Sequence, residues 1–487
     1  MESTKTERLV VEQYQVKEIF KDVFKYAPSK LCGMLGNAII VPIYTSLLSP
    51  EDYGLYTISI ALLSFLCILF SDWVGLAGLR FFRINQLMQN VPKYLTTLVT
   101  LLGCNLLIML LIATIFRQQF HDFFNIPFKF FCCILLLIIP VAFRALLFQL
   151  LRAQLKSISF TFSTILNQIM TIGLSVFFIK VYDLGALSLL LGMAISISLT
   201  DVLLLFQSDI LKHFKLQKIE WHFVLPMVRY GIPIAATSLS AWIINQSNKF
   251  IMNSINGFSD VGIVGVAYGL TLPLLMTVFS MLTVAAIPRI INLYEENYDV
   301  IPVVSRFVGY YILVAFPIVM TMAFFSLDYV HIFSANERFY AAYKIIPFFA
   351  FGTFFLALTD YTTLQYHLAN KTQIDFLLKL FSGILGIILN VVLIPKYSLI
   401  GVGIATFSAN LFYLLLSLII VLPGLRVEYP KYIMNKVFLS LIPYLLCVFL
   451  VVDHLVLPPA FKMIFLLVIF YFCYWLLGRF EKYCKRL

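Results

Sequence analysis

Long apolar stretches with few charges follow one another along nearly the whole chain, and this succession constrains the fold more than any other feature. A bilayer core roughly 30 Å thick needs about 20 mostly apolar residues per helix, because backbone polar groups there must be bonded internally. Fourteen such stretches can be drawn, at about 27–47, 53–75, 94–116, 130–151, 159–179, 184–206, 224–246, 260–284, 305–326, 344–366, 374–395, 399–422, 437–453 and 461–478. Only 12% of the 487 residues are charged and 61% are hydrophobic, which excludes a soluble enzyme. The sequence therefore predicts an all-α polytopic membrane protein with about 14 transmembrane helices.

The first 25 residues differ from the rest because they mix basic and acidic side chains. An apolar stripe with helical spacing runs through this segment, formed by Val16, Ile19, Phe20, Val23 and Phe24. We expect residues 1–25 to form a cytoplasmic or interfacial amphipathic segment that lies on the membrane. The alternative is a short solvated helix packed on its own loops.

The distribution of lysine and arginine predicts the orientation. With a cytoplasmic N-terminus and residues near span ends assigned to the adjoining side, 25 of the 35 basic residues are cytoplasmic, 8 are outside, and Arg144 and Lys379 are assigned to spans. The positive-inside rule then supports an even number of spans, with both termini in the cytoplasm. The net charge of +11 is explained by contact with anionic lipid headgroups, and no motif indicates nucleic-acid binding.

Short motifs recur between the two halves of the chain. Asp52-Tyr-Gly54 recurs as Asp260-Val-Gly262, and Lys156-Ser157 recurs as Lys371-Thr372. Six spans is an even number, so the second copy enters the membrane from the same side and the repeat is parallel. We expect two six-helix lobes, at 26–215 (spans one to six) and 216–430 (spans seven to twelve). Residues 431–487 would add two C-terminal helices and a basic cytoplasmic tail.

Several segments resemble the polysaccharide transporters, the Wzx-type flippases of the multidrug/oligosaccharidyl-lipid/polysaccharide (MOP) exporter superfamily. They are Pro42–Tyr56, Gly75–Arg80, Leu151-Arg-Ala-Gln-Leu-Lys-Ser157, Asn248-Lys249 followed by Val261-Gly-Ile263, and Ile394–Gly401. Each motif is short, but their order, the repeat and the number of spans agree with this family. The resemblance covers about 26–424.

The resemblance implies a flippase rather than an enzyme. Its expected cargo is an undecaprenyl-diphosphate-linked oligosaccharide, carried from the inner to the outer leaflet of the cell's cytoplasmic membrane for O-antigen (lipopolysaccharide), capsule or exopolysaccharide assembly. The implied fold surrounds a cationic central cavity that works by alternating access, and the last two helices hold the lipid tail. A polysaccharide polymerase and a chain-length regulator are the expected protein partners, besides membrane lipids. No cofactor is expected, although proton or sodium coupling is possible in principle.

Charged residues inside apolar spans are the candidates for function, since each costs roughly 2.5–3.5 kcal/mol on insertion scales. Arginine suits a diphosphate because its planar fork can hold phosphate oxygens bidentately. The candidate substrate-binding residues are Arg144, Lys249, Arg80, Arg83, Arg152, Lys379 and Asn37. The candidate ion-coupling residues are Asp360 and Asp375.

Each candidate also has a structural interpretation. Arg144 could extend to the inner headgroups instead of a cavity. Arg80 and Arg83, just past span two, could be ordinary positive-inside anchors. Asp375 and Lys379 are four residues apart on one helix face and could form a structural salt bridge.

Asp360, which has His367 nearby in the sequence, suits either a proton relay or pairing with a neighbouring basic residue. Lys249 is unusual because it falls at the outer end of span seven, where lysine is rare; the family often has an acidic residue at the position of Asn248. Asn37 could contact sugar hydroxyls or bond between helices. We expect Asp201, at an inner helix end, to be solvated.

Two other functions compete with the flippase. A cation-coupled drug or small-molecule exporter of the same superfamily would be expected to centre acidic residues in its cavity, whereas the charges inside these spans are at least as basic as acidic. A polytopic polymerase or ligase would be expected to carry a large outer loop with catalytic arginine or histidine, and the longest outer loop here is only about 327–343. The cysteines show no metal-ligand spacing, and no metal site is expected.

Overall fold

The computed structural model describes residues 33–34, 36, 39–87, 90–154, 156–208, 221–450 and 458–484. Every regular element within these ranges is helical. The α-helices are α1 (Pro50–Cys67), α2 (Trp73–Leu87), α3 (Val91–Ile115), α4 (Arg117–Phe124), α5 (Phe128–Ala153), α6 (Ser157–Tyr182), α7 (Ala186–Gln207), α8 (Trp221–Asn256), α9 (Phe258–Glu295), α10 (Ile301–Phe324), α11 (Ser326–Phe333), α12 (Ile346–Leu368), α13 (Thr372–Tyr397), α14 (Leu399–Ile419), α15 (Lys431–Leu450) and α16 (Pro459–Cys484). A π-helical turn, Ile68–Asp72, joins α1 to α2, and a 3-10 helix, Glu337–Lys344, precedes α12.

The described residues contain twelve helices that are long and apolar enough to cross a membrane. A thirteenth span arises if the bent pair Glu337–Lys344 and Ile346–Leu368 is counted as one. Of the first predicted stretch, 27–47, residues 39–47 are helical and most of the others lie outside the described residues. The prediction of an all-α polytopic membrane protein is confirmed. The predicted amphipathic segment, 1–25, lies outside the described residues.

Many of the long helices leave one face bare. The window of Ile158–Tyr182 is only 17% buried, and large apolar side chains such as Ile158, Phe162 and Ile169 are exposed. In water such a face would be unfavourable, but lipid tails solvate it without cost. The exposed apolar surface is therefore what a chain surrounded by lipid requires.

The start of α1 is specified by local sequence. The Ser49 hydroxyl accepts a hydrogen bond from the Asp52 backbone N–H at 3.1 Å, and Pro50 occupies the first helical position. Glu51 and Asp52 add negative charge to the first turn, where the helix dipole favours it. Asp52 also accepts a bond from the Ala186 backbone N–H at 3.3 Å, which ties this end to the start of α7.

The two copies of the Asp-x-Gly motif lie against each other. A Cβ added to Gly54 on α1 would lie 1.8 Å from the Phe258 carbonyl oxygen, and one added to Gly262 on α9 would lie 2.0 Å from the Pro50 carbonyl oxygen. Only glycine permits such close approach of two helix backbones. The motif that marks the repeat is therefore also a helix-packing contact.

The chain divides into two compact units. The first unit comprises 47–265, and the second comprises 266–487 together with the chain up to 46; the boundary falls within α9. In the first unit α7 packs on both α5 and α6, and in the second α14 packs on both α12 and α13. The same pattern of helix packing thus recurs. The lobe boundary expected from the sequence repeat, between 215 and 216, remains a prediction.

Candidate functional site

Arg144 on α5 forms a buried ion pair with Asp201 on α7. Its Nε donates to Asp201 Oδ1 at 2.9 Å, and the side chains are 9% and 7% exposed. Its Nη2 donates to the Ile197 carbonyl oxygen at 2.9 Å and also contacts the Thr200 hydroxyl. The expectation that Asp201 is solvated is wrong, because the close packing of α5 on α7 removes it from water. Arg144 does not extend to the headgroups, since its guanidinium is held against α7.

A second buried charge cluster lies in the second unit, where α12 ends and α13 begins. The Asp375 side chain is 1% exposed, and its Oδ2 lies 2.7 Å from Lys379 Nζ, one turn along α13. Its Oδ1 accepts a hydrogen bond from the Tyr413 hydroxyl of α14 at 2.6 Å. The His367 Nε2 lies 3.6 Å from Oδ2. We call these four residues the Asp375 cluster.

The Asp375 cluster reaches the surface through histidine. The His367 side chain is 49% exposed and lines a cavity of about 630 Å³, together with Glu295 at the end of α9 and Asp299 from the segment between α9 and α10. Asp360, half-buried on α12, lies within electrostatic range of Lys379, Asp375 and His367. The two predicted ion-coupling residues are thus brought close together.

Hydroxyl and amide groups connect α12 to the end of α14 beside this cluster. The Thr362 and Ser417 hydroxyls are 2.6 Å apart, and the Gln365 side-chain oxygen accepts from the Leu422 N–H at 2.8 Å. The Tyr366 hydroxyl donates to the Ile420 carbonyl oxygen. The Gln365 and Tyr366 bonds satisfy backbone groups just past the end of α14, which would otherwise be costly where water is scarce.

The remaining candidates are dispersed. Lys249 on α8 is buried, with 6% exposure, next to buried Asn248. Arg80 is exposed on α2, which also carries Arg83. Arg152 is exposed at the end of α5 and lies over the Phe160 ring at 4.9 Å. Asn37 lies outside the described residues. Within the described ranges, no cluster of histidine, cysteine, aspartate or glutamate residues could hold a metal ion.

Two partners in these clusters escaped sequence reasoning. Asp201 looked like a solvated residue at a helix end, and Tyr413 is one of 26 tyrosines with no local feature to mark it. Asp201 lies 57 positions from Arg144, and Tyr413 lies 38 positions from Asp375. Only helix packing brings such residues together.

The sequence matches a known protein family, and the fold is similar to solved structures. Residues 19–294 match the family described as polysaccharide biosynthesis protein. The solved structure of the lipid II flippase MurJ in an inward closed conformation superposes with a TM-score of 0.74 at 16% identity, covering 96% of this chain and 99% of MurJ. An inward-facing multidrug resistance MATE family transporter of the MOP superfamily gives 0.61 at 14% identity, covering 80% and 92%. The Vibrio cholerae MATE transporter VcmN gives 0.52 at 11% identity, covering 82% and 95%. No curated protein sequence matches the chain.

Proposed function

The chain belongs to the polysaccharide biosynthesis protein family, and we propose that it is a flippase for lipid-linked oligosaccharides. It is a multi-pass membrane protein whose fold is shared with the MurJ and MATE structures. The proposed cargo is an undecaprenyl-diphosphate-linked repeat unit of a surface polysaccharide such as O-antigen, capsule or exopolysaccharide. The family match over more than half of the chain carries the proposal. The protein would act as a transporter and not as a polymerase or ligase.

Basic residues within the helices supply the chemistry that this cargo needs. A diphosphate crossing a low-dielectric region must exchange its hydration for fixed cations. Lys249 is buried on a span, where a charged side chain is costly and points to a function. We assign it to the diphosphate path. Arg80, Arg83 and Arg152 would attract the diphosphate at the entrance, and Asn37 would bond sugar hydroxyls.

The proposed role of Arg144 in the diphosphate path differs from that of Lys249. Because Asp201 already occupies its guanidinium, a phosphate could bind there only by replacing the carboxylate. We therefore assign Arg144 first to holding α5 on α7, and to the cargo only in a state where the pair has opened. Lys379 stands in the same relation to Asp375.

The Asp375 cluster is the proposed coupling site. Its carboxylate is already paired with the Lys379 ammonium, which disfavours a bound sodium ion. A proton can reach it from the 630 Å³ cavity through His367, whose imidazole both lines that cavity and touches Asp375. We therefore propose proton coupling through His367, Asp375 and Asp360.

The remaining features follow the positive-inside rule and the family resemblance. The proposal places both termini in the cytoplasm, with the protein in the cytoplasmic membrane. Alternating access through a cationic cavity would move the cargo, and α15 and α16 would accommodate the lipid tail. A polysaccharide polymerase and a chain-length regulator would receive the product.

Reconstitution tests the proposal directly. Purified full-length protein is placed in vesicles that contain a polyprenyl-diphosphate-linked oligosaccharide with a fluorescent glycan, and dithionite quenches the label on the outer leaflet. Wild-type protein should raise the quenched fraction from about half towards completion. Lys249→Ala should slow this phase at least tenfold, whereas Arg229→Ala, which removes an exposed cation from the same helix, should leave it unchanged.

A cellular experiment separates transport from synthesis. Depletion of the protein in its host should cause lipid-linked repeat units to accumulate on the cytoplasmic leaflet, as measured by mass spectrometry of lipid extracts. Loss of surface polysaccharide without such accumulation would contradict a flippase. Transport of small organic cations by vesicles that fail to move the labelled lipid would favour the drug-exporter alternative.

A further inference from the structure

A cavity of about 980 Å³ opens at one end of the second unit, apart from the Asp375 cluster. The first turns of α10 and α15, the last turns of α12 and α14, and the 421–430 segment line it. At this end α10 begins, α14 ends and α15 begins, so several helix termini meet around one space. Among the described residues, no sequence candidate lines this cavity.

Three basic side chains surround the cavity. They are Arg306 on α10, Arg426 on the 421–430 segment and Lys431 at the start of α15. Arg426 and Lys431 are exposed and Arg306 is half-buried. Among the described residues, no carboxylate forms an ion pair with any of the three. Glu428 is the single acidic side chain in the lining, which therefore carries a net positive charge.

The wall that carries Arg426 is fixed to the helices. The Glu428 backbone N–H donates to the Ser305 hydroxyl at 3.2 Å, and the Leu422 N–H donates to Gln365 at 2.8 Å. Leu425 and Val427 are buried, each 8% exposed. The 421–430 segment is thus anchored by alternate side chains, and Arg426 and Glu428 project from between them.

Neutral donors complete the lining. The Tyr429 hydroxyl is buried without a hydrogen-bond partner among the described residues. Desolvation raises the pKa of Tyr429 to about 12, so this phenol is a neutral donor at physiological pH. The cavity also has apolar walls from Pro302, Leu418 and Met434. A buried donor without a partner, beside unpaired cations, fits an acceptor with several oxygens.

We propose that this cavity binds a phosphate group, supplied either by the headgroup of an anionic membrane lipid or by a soluble phosphate. Arg306, Arg426 and Lys431 hold the phosphate oxygens, the Tyr429 hydroxyl donates to one of them, and the apolar walls contact the acyl chains of a lipid. None of the residues assigned to the diphosphate path is among the described residues that line this site, which would stabilise the second unit. Because it is assayed as binding to purified protein, its failure is distinguishable from failure of the flippase proposal.

Native mass spectrometry of the full-length protein tests the lipid source. Wild type should retain phosphatidylglycerol in preference to phosphatidylcholine, and the triple variant Arg306→Gln, Arg426→Gln, Lys431→Gln should lose this preference. About a fivefold loss of affinity is expected for each cation removed. The matched control is Arg338→Gln, Lys344→Gln, Lys396→Gln, which removes three exposed cations from the opposite end of helices of the same unit and should bind as wild type does.

The soluble source is tested by thermal unfolding with inorganic phosphate or pyrophosphate against chloride at equal ionic strength. Phosphate protection of wild type and control, but not of the triple variant, would identify a soluble ligand as the source. Glu428→Gln keeps the backbone bond to Ser305 and should strengthen binding in whichever arm is positive. The site would be refuted if the triple variant bound both the lipid and the phosphate as well as wild type does. It would also be refuted if Glu428→Gln did not strengthen binding.

Discussion

Two buried ion pairs among the described residues have the same chemistry and different surroundings. Arg144 and Asp201 join two helices of the first unit, and both side chains are less than a tenth exposed. Asp375 and Lys379 share one helix of the second unit, and His367 continues from them into a cavity. As long as it stays closed, a buried pair without a solvent connection holds its helices together. A pair that touches a half-exposed imidazole can also exchange a proton.

The number of partners differs as well. Asp201 Oδ2 is buried without a hydrogen-bond partner among the described residues, so Arg144 supplies the main compensation for this carboxylate. Asp375 has partners on both oxygens, from Lys379, Tyr413 and His367. Removing one partner should therefore cost more in the first unit than in the second.

The largest effect is expected from Asp201→Ala. Leaving Arg144 buried without its carboxylate should lower the free energy of unfolding by about 3–5 kcal/mol, as found for broken buried pairs. Lys379→Ala should cost clearly less, because Tyr413 and His367 still compensate Asp375. Denaturant unfolding of the purified protein in detergent micelles measures both.

A double variant checks the cause of that loss. Arg144→Met combined with Asp201→Leu removes both charges and keeps apolar volume, so it should recover most of the stability. If Asp201→Ala cost no more than Lys379→Ala, or if the double variant were as unstable as the single one, the isolation of the first pair would be refuted.

The sequence alone identified one member of each ion pair, because placing a charged side chain in an apolar span costs free energy. Arg144 and Asp375 stand out because charge is rare in long apolar stretches, and Lys379 follows from helical spacing. The membrane spans could also be predicted from the sequence, because the thickness of the bilayer fixes their length. The partners on other helices were not, since Asp201 and Tyr413 depend on which faces of α7 and α14 turn inward. The phosphate cavity is built from five separate segments, none of which carries a motif.

A medium effect is expected from Tyr413→Phe. The change removes the hydroxyl that donates to Asp375 at 2.6 Å but keeps the ring, and hydrogen bonds to charged groups contribute about 1.5–3 kcal/mol. The matched control is Tyr444→Phe, where the hydroxyl bonds neutral Thr321 at 3.0 Å and about 0.5–1.5 kcal/mol is expected. Equal losses in the same unfolding assay would mean that Asp375 gains nothing from its charge in this bond.

The smallest effect on stability is expected from His367→Gln, although it probes the proposed proton route most directly. The side chain is 49% exposed, so the free energy of unfolding should change by no more than about 0.5 kcal/mol. Histidine alone changes charge between about pH 5 and 8 without a special environment, so the pH dependence of flipping in vesicles should flatten in this variant. His331→Gln, an exposed histidine on α11, should keep the wild-type profile. An unchanged profile in His367→Gln would show that protons reach Asp375 by another route, and the two ion pairs would then differ in packing alone.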